Sequence, residues 1–259
     1  MIVDIVRTKE LTEVWRESPV SSVLPARLVL VTDFDGTLAE VVTDPLQAVA
    51  LPEALAALRR LAQLLCEVTV LSSRTTTELE KLVPIPGLRM IGDSGLGLPI
   101  PTHKRALEQF NSEAAHLLAA APGAWIEIKP ASSAVHFRNT QRTGDEVMAL
   151  LRPVLAATGL DAATGRKVIE VHAPQAGKGR TLAAILPEIR PGGVVCFGDD
   201  ENDRSLFDVV SRLTIPHMCV GVDSPEAPAG LFDRCDLVVA GPSEAATVLN
   251  VIVEWASNQ

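Results

Sequence analysis

Leu28-Val29-Leu30-Val31 runs without a break into Thr32-Asp33-Phe34-Asp35-Gly36-Thr37. Aliphatic and β-branched residues fill the first four positions, so both faces of this strand are apolar and both must be covered. Such a strand belongs to a parallel sheet with helices on either side. It ends where the sheet meets solvent, and in open α/β sheets ligands bind at that carboxyl edge. Asp33 and Asp35 are delivered there together, with Gly36 providing the turn. Carboxylates this close repel unless a cation or a shared proton holds them. Taken alone, the pair is more often an Asp-rich turn than a site, so the remaining chain has to decide.

Outward from this strand, the spacing predicts a helix over 52–65. There Leu51, Leu55, Leu58, Leu61, Ala62 and Leu65 recur at helical intervals around Pro52. A second apolar strand, Val68 to Leu71, ends at Ser72-Ser73-Arg74, followed by a helix over 76–82 and a short strand at 89–91. Strand and helix alternating in this way give a parallel sheet. The middle breaks the pattern, with short strands at 125–129, 132–138 and 167–171 and helices over 103–120 and 144–157. Trp125, Glu127 and Lys129 share one strand face and Ile126 and Ile128 the other, as in an antiparallel sheet with one solvated side.

The parallel pattern then resumes with a helix over 177–186 and a buried strand at 193–197 ending in Gly198-Asp199-Asp200. A helix over 203–210, strands at 217–222 and 237–240 and a helix over 243–255 follow. The expected architecture is α/β, a Rossmann-like parallel-sheet core domain (1–102 and 173–259) with an inserted α+β domain (103–172).

The chain has 259 residues, 47% hydrophobic and 21% charged, enough for a sizeable core. Aromatics make up 3% with no Tyr, so that core must be Val, Leu, Ile and Ala. A net charge of −9 argues against nucleic acid as a partner. It leaves room for a small phosphorylated substrate held by local cations and a metal. The four cysteines have no metal-ligand spacing, and Cys66, Cys196 and Cys219, in apolar runs, read as core residues. No run approaches 18 apolar residues and Met1 to Arg16 has no apolar signal core. The expectation is therefore a cytoplasmic enzyme without a membrane partner, a monomer or small homo-oligomer.

Polar clusters follow several of the apolar strands: Asp33/Asp35, Ser72-Ser73-Arg74 and Asp199/Asp200/Asp203. Lys178 joins them from the opening of a helix. If these edges converge, carboxylates, a hydroxyl and an ammonium surround one point. Asp33 and Asp199 are oxygen ligands of the kind a hard cation such as Mg2+ takes. Lys178 and Ser72 suit the charge of a transferring phosphoryl group. A carboxylate can then serve as nucleophile while its neighbour handles the proton of the leaving alkoxide.

The ordered set of DFDGT, then Ser, Lys and GDDxxD resembles the haloacid dehalogenase superfamily of phosphohydrolases. The resemblance implies Asp33 as nucleophile, Asp35 as general acid/base, and Ser72 and Lys178 as phosphate ligands. It also implies Mg2+ held by Asp33, the main-chain carbonyl of Asp35 and Asp199, with Asp200 and Asp203 as supporting acids. Asp33 to Pro45 further resembles the opening of trehalose-6-phosphate phosphatases, as do Glu127-x-Lys129, His136-x-Arg138 and the run from Gly165 to Glu170. That resemblance implies that the inserted domain (103–172) is an α+β cap domain for substrate recognition, from which Glu127, Lys129 and Glu170 bind sugar hydroxyls. Ser73 and Arg74 are further substrate candidates, and Arg138 is either a surface charge or a sugar-phosphate contact.

Three departures bear on the substrate. Ser72-Ser73-Arg74 stands where the family has SGR, Ser94-Gly95-Leu96-Gly97 where it has HGxE, and Asn202-Asp203 where it has TD. The expected function is hydrolysis of a disaccharide phosphate, first trehalose 6-phosphate, within trehalose biosynthesis. The alternatives are another sugar phosphate (sucrose phosphate, a glycosyl-glycerate phosphate or a pseudo-sugar phosphate) or a non-catalytic sugar-phosphate-binding protein.

Overall fold

A computed structural model describes residues 2–95, 101–129, 132–172 and 177–259. In chain order, α1 (Ile2–Glu17) precedes β1 (Leu28–Thr32), α2 (Pro52–Leu64), β2 (Glu67–Leu71), α3 (Thr76–Leu82) and β3 (Arg89–Ile91). Then come α4 (Pro101–Leu117), β4 (Trp125–Ile128), β5 (Ser132–His136), α5 (Gly144–Thr158), β6 (Asp161–Gly165) and β7 (Val168–His172). The chain closes with α6 (Lys178–Ile189), β8 (Gly193–Gly198), α7 (Arg204–Val210), β9 (His217–Asp223), β10 (Leu237–Ala240) and α8 (Gly241–Ser257).

The larger sheet has the order β10-β9-β8-β1-β2-β3 and is parallel throughout. All five residues of β1 are buried. Leu28 and Leu30 enter one core with α2 and α8, while Val29 and Val31 enter another with Leu182 of α6 and Phe207 of α7. Burying each such side chain contributes roughly 1.5–3 kcal/mol, which is why this strand lies at the sheet's centre. Strand order reverses at β1, whose neighbours are β2 on one side and β8 on the other. Their register sets Thr32 beside Phe197, so the residues after these strands, Asp33 and Asp199, emerge side by side at the crevice typical of such reversals.

The smaller sheet has the order β4-β5-β7-β6 and is antiparallel, with α4 and α5 on one face around Phe110, Val147, Leu151 and Ile169. This is the expected α/β core with an inserted α+β cap. Thr143 and Glu146 cap α5 reciprocally, satisfying amides at its first turn. Cys66 corrects an expectation: it is exposed, in the turn after α2, while Cys196 and Cys219 are buried. All four thiols are free. Among the described residues, no helix is long and apolar enough to cross a membrane.

Candidate active site

Asp33 follows β1, its N–H donating to the Phe197 carbonyl at 3.1 Å, and only 4% of the residue is exposed. Lys178, at the start of α6, is wholly buried, with Nζ 2.8 Å from Asp33 Oδ1 and 2.7 Å from Asp203 Oδ1. Asp203 is fixed from the other side, because its Oδ2 accepts the N–H groups of Asp199 and Asp200 at 3.1 and 3.2 Å. Oxygens of Asp33, Asp199 and Asp203 lie within 4.8 Å of one another. Gly36, in the left-handed region at φ +76°, lets Asp199 approach this closely, since a Cβ there would overlap Asp199 Oδ2.

Burial raises the pKa of Asp33, with the Lys178 ammonium opposing the shift. Burial raises Asp199 further, and the facing Asp33 carboxylate adds to it. For Lys178, burial acts downward, but Asp203 and Asp33 outweigh it and the net shift is upward. The ammonium is therefore a permanent positive charge at the point where strand ends meet.

Asp35 lies apart from this cluster. Arg74 grips its carboxylate with two hydrogen bonds, both 2.7 Å, while the guanidinium lies 5.3 Å from the Phe34 ring centre. Ser72 is buried, its Oγ accepting the Arg74 N–H at 3.3 Å. The Asp200 carboxylate accepts the N–H groups of Arg166 and Glu201, both at 2.6 Å. The structure thus joins Asp33, Lys178, Asp199 and Asp203 directly. Asp35, Ser72 and Asp200 stand in the surrounding hydrogen-bonded shell.

A cavity opens above the cluster and is lined from the core by Asp33, Asp35, Ser73 and Arg74. From the cap it is lined by Glu127, Lys129, Arg138 and Glu170. Lys129 Nζ donates to the Ser73 carbonyl at 2.9 Å and sits 3.4 Å from Glu170 Oε1, tying cap to core. Arg138 lies 3.6 Å from Glu226, a core residue, so this arginine bridges the two layers as well as lining the cavity.

Arg166 is a residue of this cluster that the sequence pattern did not single out. From the β6–β7 turn its Nη1 lies 2.8 Å from Asp199 Oδ2, and its Nη2 donates to the Asp199 carbonyl at 2.9 Å. The only signal was its place in the quoted run from Gly165 to Glu170, where nothing marks a turn that reaches into the other layer. The loop that departs from HGxE holds Asp93 and Ser94 at φ +50° and +52°; Leu96 and Gly97 lie outside the described residues.

Asp93 is itself unusual. It is buried where core meets cap, and burial pushes its pKa from 3.8 up to about 6, with Lys129 opposing and Glu170 and Glu78 reinforcing. Between those pH values the folded chain keeps a proton that the unfolded chain has released. Stability therefore falls as pH rises through this window and stays lowered above it. Asn tolerates the left-handed backbone and carries no charge. Asp93→Asn is expected to raise Tm by roughly 2–4 °C at pH 7.5, with little gain at pH 4. Thermal melts showing equal gains at both pH values contradict this origin.

The trehalose-phosphatase family model matches residues 31–229, from the end of β1 beyond β9. The chain belongs to the trehalose-phosphatase family. Among curated trehalose-phosphatase relatives, the trehalose-phosphate phosphatase of Mycobacterium ulcerans (strain Agy99) is 35% identical over 219 residues, covering 77% of this chain and 56% of that protein. That of Mycobacterium leprae (strain TN) is 32% identical over 226 residues, covering 77% and 52%. The chain thus spans about half the length of the curated relatives it matches. The C-terminal domain of the Candida albicans trehalose-6-phosphate phosphatase superposes with a TM-score of 0.77 at 18% identity, covering 95% of this chain and 96% of that one. The sucrose-phosphatase of Synechocystis sp. PCC6803, solved with sucrose and phosphate, gives a TM-score of 0.56 at 16% identity, covering 88% and 98%. At these identities the two structures show a shared fold alone.

Proposed function

We propose that the chain is a phosphomonoesterase that hydrolyses a disaccharide phosphate, trehalose 6-phosphate before others, through a phosphoryl group carried on Asp33. The carrying observation is the Asp33–Lys178–Asp203 ion-paired line beside Asp199, set beneath a cavity roofed by Glu127, Lys129 and Glu170. Residues 103–172 act as the cap in this reading, over a core of 1–102 and 173–259.

The residues fit a Mg2+ ion. Asp199 Oδ1 is buried and lacks a hydrogen-bond partner, and three carboxylates here face two cations, Lys178 and Arg166. That leaves negative charge and a spare hard oxygen, which suits such a cation. Asp33 and Asp199 would hold it with the Asp35 carbonyl, supported by Asp200 and Asp203. Bound there, it supplies charge neutralisation for the phosphoryl oxygens.

The chain's own residues account for the rest. Lys178 opposes the effect of burial on Asp33 and holds it aimed, and Ser72 lies beside the same strand ends for phosphate binding. An Asp33 oxygen attacks phosphorus, and the bond from phosphorus to the sugar oxygen breaks. Asp35 protonates the departing alkoxide, then takes a proton from the water that attacks phosphorus and frees Asp33 with release of phosphate. The bidentate Arg74 clamp occupies both Asp35 carboxylate oxygens, so Arg74 must loosen for Asp35 to carry the proton it passes to the alkoxide and regains from water. Arg74 lines the cavity, within reach of a substrate held there.

The test is phosphate release with Mg2+ across trehalose 6-phosphate, sucrose 6-phosphate, a glucosyl-glycerate phosphate and glucose 6-phosphate. The highest kcat/KM is expected for trehalose 6-phosphate. A higher value for another member replaces the substrate, and no release from any member overturns the activity.

A further inference from the structure

The cavity wall contains one aromatic platform that the chemistry above does not use. Trp125, the first residue of β4, lines the cavity and keeps 45% of its surface exposed, although aromatics make up only 3% of the chain. One face of its indole stacks on His136 with ring centres 4.2 Å apart and planes 13° from parallel. His136 is itself fixed, its Nε2 lying 2.8 Å from Glu127 Oε2. The result is a rigid, two-ring slab with a carboxylate beside it.

Its position is peripheral. β4 is the edge strand of the cap sheet, two strands from β7, whose turn carries Arg166 onto Asp199. Two strand spacings are about 10 Å. Trp125 also stands four residues from Lys129, which touches Ser73, and four residues of extended chain span about 13 Å. A phosphoryl group at Asp33 and the sugar ring that carries it would fill the space beneath Lys129 and Glu127, leaving Trp125 at the outer corner of the roof.

Resting on the proposed function, we infer that Trp125 is a specificity-determining residue that stacks against the apolar C–H face of the sugar ring farther from the phosphate. Pyranose rings present such a face, and an immobile indole meets it without ordering cost. Glu127, held by His136, accepts hydroxyl hydrogen bonds beside it. The platform favours a disaccharide phosphate over a monosaccharide phosphate, because only the former reaches it.

The experiment compares wild type, Trp125→Ala and Trp125→Phe on trehalose 6-phosphate and glucose 6-phosphate. The ratio of kcat/KM for the two substrates is expected to fall roughly tenfold in Trp125→Ala, through KM, and to recover largely in Trp125→Phe. Free trehalose is expected to perturb tryptophan emission in wild type and not in Trp125→Phe, since Trp15 and Trp255 pack against each other, with ring centres 5.2 Å apart. An unchanged ratio in Trp125→Ala, with wild type hydrolysing trehalose 6-phosphate, overturns the inference and leaves the activity standing. No turnover of trehalose 6-phosphate by wild type overturns the activity instead. The emission titration then decides the platform: a Trp125-dependent response to trehalose supports it, and none overturns it.

Discussion

Asp33→Asn is expected to lower phosphate release at least about a thousandfold, equivalent to roughly 4 kcal/mol of transition-state stabilisation. The amide matches the carboxylate in shape but has no nucleophilic oxygen, so the loss falls on kcat rather than KM. Folding should survive. Burial makes the ionised Asp33 costly, and Lys178 keeps Asp203 as a partner at 2.7 Å when Asp33 is neutral. Magnesium binding, followed by calorimetry, is expected to weaken without vanishing because Asp199 is untouched. Activity within tenfold of wild type would remove Asp33 from the chemistry.

Lys178→Met is expected to lose activity and stability together. The side chain is fully buried between two carboxylates, and Met replaces its volume but not its charge. Removing one member of a buried charge cluster costs about 3–5 kcal/mol, because the remaining charges are left unpaired in a low-dielectric site. For a chain of this size that corresponds to a fall in Tm of roughly 6–20 °C. The same change takes positive charge from the phosphoryl site, and kcat should fall at least a hundredfold even well below the new Tm. A variant that melts like wild type would show that Lys178 is not the central counter-ion.

Much of this was legible in the sequence for one physical reason. Strands buried on both faces must be apolar throughout, so Leu28–Val31, Val68–Leu71 and Gly193–Phe197 stand out, and acids placed just after them must sit at the sheet edge. What escaped depends on tertiary partners. β6, Asp161-Ala162-Ala163-Thr164-Gly165, has little strand propensity of its own and is a strand because β7 pairs with it. Cys66 lies in an apolar run, but the helix ends at Leu64, before it, and leaves it exposed. Arg166 and Trp125 act across layers, on Asp199 and on the cavity, and residue spacing cannot show which layer a hairpin turn or an edge strand faces. Arg74 is a similar case: an arginine after β2 gives no sign that it holds Asp35, 39 positions away in the chain.

The most direct measurement is the product balance of the purified chain incubated with trehalose 6-phosphate and Mg2+. Equal molar amounts of free trehalose and inorganic phosphate are expected, with both lost on chelation and restored by adding Mg2+ back. Intact trehalose 6-phosphate after prolonged incubation, or phosphate release indifferent to chelator, would contradict the account.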